Sequence, residues 1–418
     1  MKRKLFARMI SMAGVGVVSV LPALADEGTA PVEEDTHGLL QGSFKDTAVG
    51  KWMDEQRITL SGHVEAGITG NFDDPKDRQN FGRLFDDRAN EPLLNQAVLT
   101  IERPLAPEEG KFDWGYKFQF MYGSDARFIH TFGWMDSVNN DLVQPDIVEL
   151  FASLHFPILT KGGVDVKAGQ FVTLMGAEVI YAPANPLYSH SYIFNFGIPF
   201  KHTGVLLTTH VTDQFDVCVG FVTGINTGTD DNNGGKSFHG SLNWKSKDEK
   251  VLWMGSVHFG DENDSNYNAG DPRIIGSSQL TLKPLDKLTL ISDLNYGVDE
   301  GFDAEWYGAA QYGIYQINDW LSFVVRGEVF RDDDGFAVVK VTDNDDLIDA
   351  QRGQHISPKT TNAGAATYTE LTVGLNLTPY KTLLIRPEAR WDWANKQAYN
   401  DFGDQQQFTL GMDVIFKF

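Results

Sequence analysis

An alternation of apolar and polar residues with a period of two recurs along almost the whole of this chain. In residues 408–418 every second side chain is apolar, and in residues 383–393 one face is mainly apolar while the other carries Arg386, Glu388 and Arg390. A soluble β-sandwich also alternates, but it rarely sets a row of charges opposite large apolar side chains over ten residues. The pattern is typical of a strand with lipid on one side and water on the other.

About sixteen segments show this pattern, and the links between them alternate between tight turns and long loops. The predicted strands are 58–68, 95–103, 114–123, 146–156, 164–171, 203–211, 215–224, 237–245, 251–260, 277–283, 288–297, 306–316, 321–331, 369–377, 382–393 and 408–418. A soluble propeller has no reason to alternate short and long links. We therefore predict an all-β fold, a transmembrane antiparallel up-and-down β-barrel of about sixteen strands with both termini periplasmic.

The first residues indicate export. Four basic residues within positions 2–8 precede an apolar stretch that ends in Ala23-Leu24-Ala25, which is the pattern of a secretory signal peptide. No later apolar run approaches the roughly 18 residues that a spanning helix needs. We predict a signal peptide at 1–25, an N-terminal periplasmic segment or plug at 26–57, and an outer-membrane barrel at 58–418.

The charge balance excludes one class of partner. With 57 acidic and 35 basic residues the formal net charge is −22, and removal of the basic signal peptide makes the chain more acidic still. Nucleic acid is therefore not an expected partner. A barrel of sixteen strands is wide enough to enclose water, so charged side chains on its inner face, such as Lys167, Arg326 and Glu328, are expected to be hydrated.

Several short runs together resemble the OmpL-like putative β-barrel porins of bacterial outer membranes. These runs are Leu94-Asn95-Gln96, Tyr122-Gly123-Ser124-Asp125-Ala126, Asn185-Pro186-Leu187-Tyr188-Ser189, His202-Thr203-Gly204, Arg326-Gly327-Glu328-Val329-Phe330-Arg331-Asp332 and Arg386-Pro387-Glu388-Ala389-Arg390-Trp391-Asp392. They follow one another along nearly the whole mature chain. The resemblance implies an outer-membrane porin fold and does not specify a substrate.

The link 172–201 is the first candidate for the part of the chain that narrows the barrel. It is rich in aromatic residues and prolines, and it is too apolar to extend freely into water. In porins resembling this chain the third outer loop folds into the barrel, which would place Glu178, Asn185 and His190 near a constriction. The alternatives are that the loop caps the barrel or contacts another subunit.

A basic strip on the barrel wall is the second candidate. Arg326, Arg386 and Arg390 are predicted at similar depths on neighbouring strands and could face the acidic loop across the pore, giving a transverse field that orders polar solutes. Alternatively, these arginines pair along the wall, Arg326 with Glu328 or Glu388 and Arg390 with Asp392. The predicted pore-lining and constriction residues are Glu178, Asn185, His190, Lys167, Arg326, Glu328, Arg386, Glu388, Arg390 and Asp392.

Neither catalysis nor a cofactor is expected. The chain has no Gly-x-Ser-x-Gly and no His-Glu-x-x-His motif. Its ten histidines show no pair at helical metal-binding spacing. Acidic runs in the outer loops are expected to be solvated loops that bind no metal. We therefore predict a protein that is not an enzyme and has no catalytic residues, no cofactor and no metal site.

These observations predict a porin of the bacterial outer membrane, exported by its signal peptide. It would form a water-filled channel for passive diffusion of small hydrophilic solutes and ions, with a preference for cations because the outer loops are acidic. Alternatives are a substrate-selective channel for sugars or organic acids, and a non-conducting structural or adhesin barrel. Expected partners are outer-membrane lipid and lipopolysaccharide, and the barrel assembly machinery through the C-terminal strand ending in Phe418. The apolar outer face is compatible with a homotrimer and with a monomer, because lipid-facing and subunit-facing strips look alike.

Overall fold

Sixteen antiparallel strands close into one barrel in a computed structural model that describes residues 38–136, 141–263, 270–340 and 363–418. The strands are β1 Thr59–Asn71, β2 Pro92–Arg103, β3 Asp113–Gly123, β4 Gln144–Phe156, β5 Val164–Val172, β6 Lys201–Thr212, β7 Phe215–Val222, β8 Ser237–Lys245, β9 Val251–Asp261, β10 Pro272–Leu285, β11 Leu288–Asp299, β12 Ala304–Asn318, β13 Leu321–Asp332, β14 Ala366–Tyr380, β15 Leu383–Ala394 and β16 Gln406–Lys417. Each strand pairs with its sequence neighbours, so the predicted up-and-down barrel is confirmed.

The barrel closes where its first and last strands meet. β1 and β16 pair antiparallel in a register that runs from His63 opposite Lys417 to Asn71 opposite Thr409. At the end of this seam the backbone of Gly62 exchanges hydrogen bonds with Phe418, 2.8 and 2.9 Å long. Closure pairs both edges that an open sheet would leave exposed, as lipid requires.

The period of two in the sequence is the period of exposure in the strands. On β16, Leu410, Met412 and Val414 are exposed on the outer face, while Thr409 and Asp413 between them are buried on the inner face. Because successive side chains of a strand point to opposite faces, this alternation puts apolar groups toward lipid and polar groups toward the lumen.

The links have the expected alternation of lengths, with one exception. Tight connections such as 213–214, 286–287, 319–320 and 381–382 lie at the end of the barrel that also holds the chain termini. At the opposite end, the outer end, most links are long, but β11 and β12 are joined by only 300–303. There the Asp299 carboxylate accepts hydrogen bonds from the backbone of Gly301 and Phe302, which closes the turn.

Two short helices precede the barrel, α1 (Leu39–Gly42) and α2 (Ala48–Glu55). The Gln41 side chain joins α1 to the start of β1 by accepting from the Leu60 backbone N–H and donating to the Ile58 carbonyl. No helix in the described part of the chain is long and apolar enough to cross a membrane. The predicted signal peptide at 1–25 and residues 26–37 lie outside the described residues.

A packed cluster fills part of the barrel interior near the outer end. Phe81 and Phe85 from the link 72–91, Phe128 from 124–143, and Tyr192 and Phe194 from 173–200 all belong to it, and each is buried. Three separate outer loops therefore turn inward and pack against one another. Their aromatic side chains explain this, because burying them removes a large apolar area from water.

Candidate functional site

The link 173–200, here called the inner loop, lies inside the barrel. Its central residues Leu187, Tyr188, Tyr192 and Ile193 are at most 2 % exposed. A loop inside a barrel brings backbone N–H and C=O groups that need hydrogen-bond partners. The wall of the barrel supplies many of these partners from charged side chains.

Three wall arginines donate hydrogen bonds to carbonyl groups of the inner loop. Arg326 on β13 donates from Nη1 to the Ser189 carbonyl at 2.7 Å. On β15, Arg386 donates to the carbonyls of Ala182 and Asn185 at 3.0 and 2.7 Å, and Arg390 donates to that of His190 at 2.5 Å. The three arginines are 0–1 % exposed, so they touch the loop directly with no water layer between.

Two wall glutamates hold the loop through its N–H groups. Glu388 on β15 accepts from the backbone of Tyr188 and Ser189 at 2.9 and 3.1 Å, one with each oxygen. Glu328 on β13 accepts in the same way from Tyr192 and Ile193 at 2.7 and 2.9 Å. Hydrogen bonds to charged groups are stronger than neutral ones, so both contacts fix the path of the loop.

Glu178 is the main acidic contact from the loop to the wall. Its carboxylate accepts from Arg326 Nη1 at 2.7 Å, Tyr312 Oη at 3.0 Å and the Ser191 backbone at 2.9 Å, and it lies 3.1 Å from His190 Nδ1. Burial alone would raise the pKa of this carboxyl, but the charge of Arg326 and the contact with His190 hold the pKa well below its usual range. Glu178 is therefore ionised at neutral pH.

The arginines also have carboxylate partners on the wall. Arg326 Nε donates to Glu370 at 2.7 Å, and Arg390 forms an ion pair with Asp392. Arg386 is paired with Asp413 at 2.6 Å and Glu65 at 3.1 Å. These charges differ from the hydrated wall charges expected of a wide lumen, because the inner loop excludes water from this part of the wall and each cation must have a close anion.

A second loop joins the same network. Arg83, in the link 72–91, bridges Asp86 at 2.5 Å and Asp392 at 2.8 Å, and all three side chains are at most 1 % exposed. Tyr192 donates from its hydroxyl to Asp392 at 3.2 Å and shares a 2.9 Å hydrogen bond with Tyr399. The network therefore joins the inner loop, the link 72–91 and the strands β13 to β16.

Nine of the ten predicted site residues belong to this region, and one lies apart from it. Asn185 stays within the inner loop, where its side chain exchanges hydrogen bonds of 2.9 and 2.7 Å with the Val179 backbone. Lys167 is on β5, where its ammonium lies 4.5 Å from the centre of the Phe151 ring. Near it on the same side of the barrel, Asp165 and His210 have side chains that are 26 % and 31 % exposed.

Sequence reasoning missed the partners Arg83, Glu370 and Asp413. The run of Phe81, Leu84 and Phe85 around Arg83 was the available signal, because such a run in a polar loop indicates burial. Glu370 and Asp413 occupy inner-face positions of alternating strands and could have been found from the same period of two. Chemically, the arrangement can hold a loop at a fixed depth inside a barrel.

Comparison with known proteins places the chain among porins. The family model described as "Putative beta-barrel porin-2, OmpL-like" matches residues 57–418. None of the curated proteins is similar enough in sequence to match the chain.

Solved structures of outer-membrane porins share the fold at low sequence identity. Pseudomonas putida OprB is 13% identical with a TM-score of 0.54, and the match covers 90% of this chain and 97% of that one. An anion-selective porin from Comamonas acidovorans is 10% identical with a TM-score of 0.53, covering 86% and 99%. Salmonella typhi OmpF in complex with daunomycin is 9% identical with a TM-score of 0.56, covering 87% and 99%. At these identities the likeness shows the fold alone.

Proposed function

This chain belongs to the OmpL-like family of putative β-barrel porins, and from that premise we propose that it forms a water-filled channel for passive diffusion of small hydrophilic solutes and ions across the bacterial outer membrane. The observation that carries the proposal is the inner loop held inside a closed sixteen-strand barrel by charges of the wall. A loop fixed at this depth narrows a barrel.

The diffusion path proposed here runs along the wall opposite the arginines. The arginine side, β13 to β16, is covered by the inner loop, whereas β3 to β6 carry partly exposed polar groups, among them Lys117, Asp165 and His210. These side chains are ion-paired and also partly exposed, and partial exposure on an inner face fits a hydrated lumen. In this proposal Lys167 lines the pore, while Arg326, Arg386, Arg390, Glu328, Glu388 and Asp392 shape the constriction by holding Glu178, Asn185 and His190.

A preference for cations is proposed from the charge of the chain itself. A formal net charge of −22 raises the local concentration of cations at the mouth. The fold does not determine whether a porin prefers cations or anions, because a porin of this fold from Comamonas acidovorans is anion-selective.

Single-channel recording of the purified protein in a planar bilayer tests the proposal, with the reversal potential measured under a salt gradient. Steady open steps with a cation-selective potential are expected. An anion-selective potential would contradict the cation preference alone. A folded barrel that gives no steps would contradict the channel itself.

Deleting residues 184–194 tests the role of the inner loop. The deletion removes Tyr188 and Ser189, which contact Glu388, and Tyr192, which contacts Glu328. We expect a larger single-channel conductance because the constricting segment is gone. A matched deletion in the exposed turn 106–110 should leave conductance unchanged, and unchanged conductance in the first deletion would refute the constriction role.

A second candidate function is a selective channel for sugars or organic acids, in which exposed aromatic side chains of the loops would stack on the solute. The observation that favours it is Tyr181 of the inner loop, which is 38% exposed and lies edge-on to His63 of the wall. Such a channel binds its solute saturably. The same recordings distinguish a selective channel from a diffusion pore. In a selective channel, a solute that binds inside should reduce the ion conductance with a saturating dependence on solute concentration. In a diffusion pore, the conductance should fall only in proportion to the solute concentration. A fully closed, structural or adhesin barrel would give no conductance in either case.

We also propose a homotrimer. A depression on the outer, lipid-directed face is lined by Leu280, Leu294 and Val329 together with small or polar residues, among them Ser278, Ser292, Ala309, Gln311 and Gly327. Small and polar groups in lipid favour contact with another protein surface. A Vibrio cholerae OmpT structure is described as a trimer form, and it shares the fold at 9% identity with a TM-score of 0.52.

A bulky substitution in this depression tests the trimer. Gln311→Tyr should convert a trimer in mild detergent to a monomer, whereas Val219→Tyr on the outer face of β7 should not. A monomeric wild-type protein would contradict the proposal.

The remaining partners are proposed on general grounds. Outer-membrane lipid and lipopolysaccharide would surround the apolar outer face. The C-terminal strand ending in Phe418 would be recognised by the barrel assembly machinery. Export by the segment 1–25 is likewise a proposal. So is a function without catalysis, cofactor or nucleic acid.

A further inference from the structure

Three histidines from three strands meet on the inner face of the barrel near its outer end. His202 is the second residue of β6, His239 lies on β8, and His258 lies on β9 directly opposite His239 in the strand register. Each is fully buried. The ring centres are 4.1 Å apart for His202 and His239, 5.1 Å for His202 and His258, and 5.7 Å for His239 and His258.

The hydrogen bonds around these rings leave nitrogen atoms without partners. The Nδ1 atoms of His239 and His258 are buried and have no hydrogen-bond partner. A buried polar atom without a hydrogen-bond partner lowers the stability of the folded protein, and two such atoms lie in this one cluster. A bound cation supplies the missing partner, because an imidazole nitrogen that carries the lone pair is a metal ligand and a neutral ring can move its proton to the other nitrogen.

The surroundings orient two of the rings for metal binding. His258 Nε2 lies 2.7 Å from Glu262 Oε1, and the ionised carboxylate can only accept, so the proton is on Nε2 and the lone pair is on Nδ1. His202 Nδ1 lies 2.9 Å from the Gly224 carbonyl, so its lone pair is on Nε2, where it accepts a 3.3 Å hydrogen bond from Thr173 Oγ1 that a bound metal would replace. A histidine that donates its other N–H to a carboxylate or a carbonyl is the usual arrangement around a bound metal.

Glu262 is itself held in place. Besides His258, it accepts from Ser237 Oγ at 2.5 Å and from the Ile225 backbone N–H at 2.7 Å. It is 4 % exposed. This carboxylate would offset part of the charge of a divalent cation while its position fixes the orientation of the His258 ring.

We propose that His202, His239 and His258 form a binding site for a borderline divalent transition-metal cation of the zinc class. One nitrogen from each ring lies within 4.8 Å of the others, so an ion at their centre would be about 2.8 Å from each. Zinc–nitrogen bonds are about 2.0–2.1 Å long, so each ring has to move inward by less than ~1 Å. Three neutral imidazoles favour zinc, copper or nickel over calcium or magnesium, which prefer oxygen ligands.

Binding would change two contacts at the start of the inner loop, that of Thr173 with His202 and that of Leu174 with His239. The Leu174 backbone N–H donates to His239 Nε2 at 3.2 Å. If the metal binds Nε2 of His239, that nitrogen can no longer accept the hydrogen bond from Leu174. If the metal binds Nδ1, the neutral ring carries its proton on Nε2, and Nε2 again cannot accept. Either way the metal releases Leu174, and the site is linked to the start of the inner loop.

Titration of the folded, chelator-stripped protein with Zn²⁺ tests the site, independently of whether the barrel conducts. Equilibrium dialysis should give one tightly bound Zn²⁺ per chain. Co²⁺ alone should give the intense visible absorption of a four-coordinate site with three imidazole ligands and one water. Absence of stoichiometric Zn²⁺ binding by the wild-type protein would overturn the proposal.

Variants identify the ligands. His202→Gln, His239→Gln and His258→Gln should each weaken Zn²⁺ binding by 100-fold or more and abolish the Co²⁺ spectrum. Glu262→Gln should weaken binding about 10–100-fold, as expected for a group that orients a ligand. His63→Gln is the matched control, because His63 is also buried on the inner face but lies on β1 and contacts Gln96.

The variant results decide between this site and weaker surface binding. If the three cluster variants bind Zn²⁺ as the His63→Gln control does, the ion sits elsewhere and the proposal is wrong. Heat-modified migration on gels identifies any variant that does not fold. In that event the wild-type stoichiometry and the Co²⁺ spectrum still decide the question.

Discussion

Replacing Glu178 by glutamine should release the inner loop from the wall. Glu178 accepts hydrogen bonds from Arg326, Tyr312 and Ser191, and it is 3 % exposed. Removing one partner of a buried ion pair costs about 3–5 kcal/mol. Arg326 retains Glu370 at 2.7 Å, so the lower end of the range applies. A loss of about 3 kcal/mol raises the fraction of undocked loop roughly 100-fold.

Cysteine labelling measures that fraction directly. In a Cys218→Ser background, Ser191→Cys places a reporter in the inner loop at a position that is fully buried in the docked state. A membrane-impermeant maleimide then reacts only when the loop leaves the wall, so the labelling rate follows the open population. We expect Glu178→Gln to raise this rate about 100-fold over the same reporter with Glu178 intact.

A control separates loop release from general loosening of the barrel. Asp299→Asn removes a buried carboxylate that pairs with Arg273 at 2.8 Å on the neighbouring strand, away from the inner loop. It should leave the labelling rate within about threefold of the parent. Equal rates for Glu178→Gln and its parent would refute the reasoning, as would an equal increase with Asp299→Asn.

Three further predictions concern the stability of the folded barrel, measured as the temperature at which it loses its compact migration on gels. Burial raises the pKa of Asp125 to about 7, so between about pH 4 and pH 7 the folded state binds more protons than the unfolded state. The stability of the wild type relative to Asp125→Asn should therefore fall by roughly 2–3 kcal/mol from pH 5 to pH 8. A stability difference that does not depend on pH would contradict this prediction. A Cβ added at Gly67 would overlap the Tyr188 ring, so Gly67→Ala should lower the temperature, whereas Gly276→Ala, with no atom within 4 Å of the added Cβ, should not. Arg386→Met leaves two buried carboxylates without their cation and should lower the temperature more than Glu178→Gln does, and a smaller effect would show that these carboxylates are neutral.

The strands could be predicted from the sequence because their signal is local. The alternation in residues 383–393 and 408–418 assigns Arg386 and Asp413 to the inner face without any knowledge of their neighbours. The inner loop's contacts are different, since Arg326 and Glu178 are 148 positions apart and meet only because the loop turns inward. No local pattern encodes that path.

The histidine cluster shows the same limit more sharply. Its members are spread over residues 202–258, and a search at helical spacing does not find them. They meet because β6 and β8 are both neighbours of β7, and because the register sets His239 opposite His258. Register across three hairpins is the one quantity that could have revealed the cluster, and it depends on turn lengths and bulges that the period of two does not determine.

Because the wall charges of this barrel are paired and contact the inner loop, replacing one of them is expected to have two separate effects on a channel. In a wide, wet lumen, replacing an arginine alters the electric field and leaves the walls in place. Here Arg386 and Arg390 also hold the inner loop through its carbonyl groups, so we expect their removal to alter the width of the proposed constriction together with its charge. A change in reversal potential without a change in unitary conductance would be a field effect. A change in both would show that the same guanidinium groups set the shape of the proposed pore.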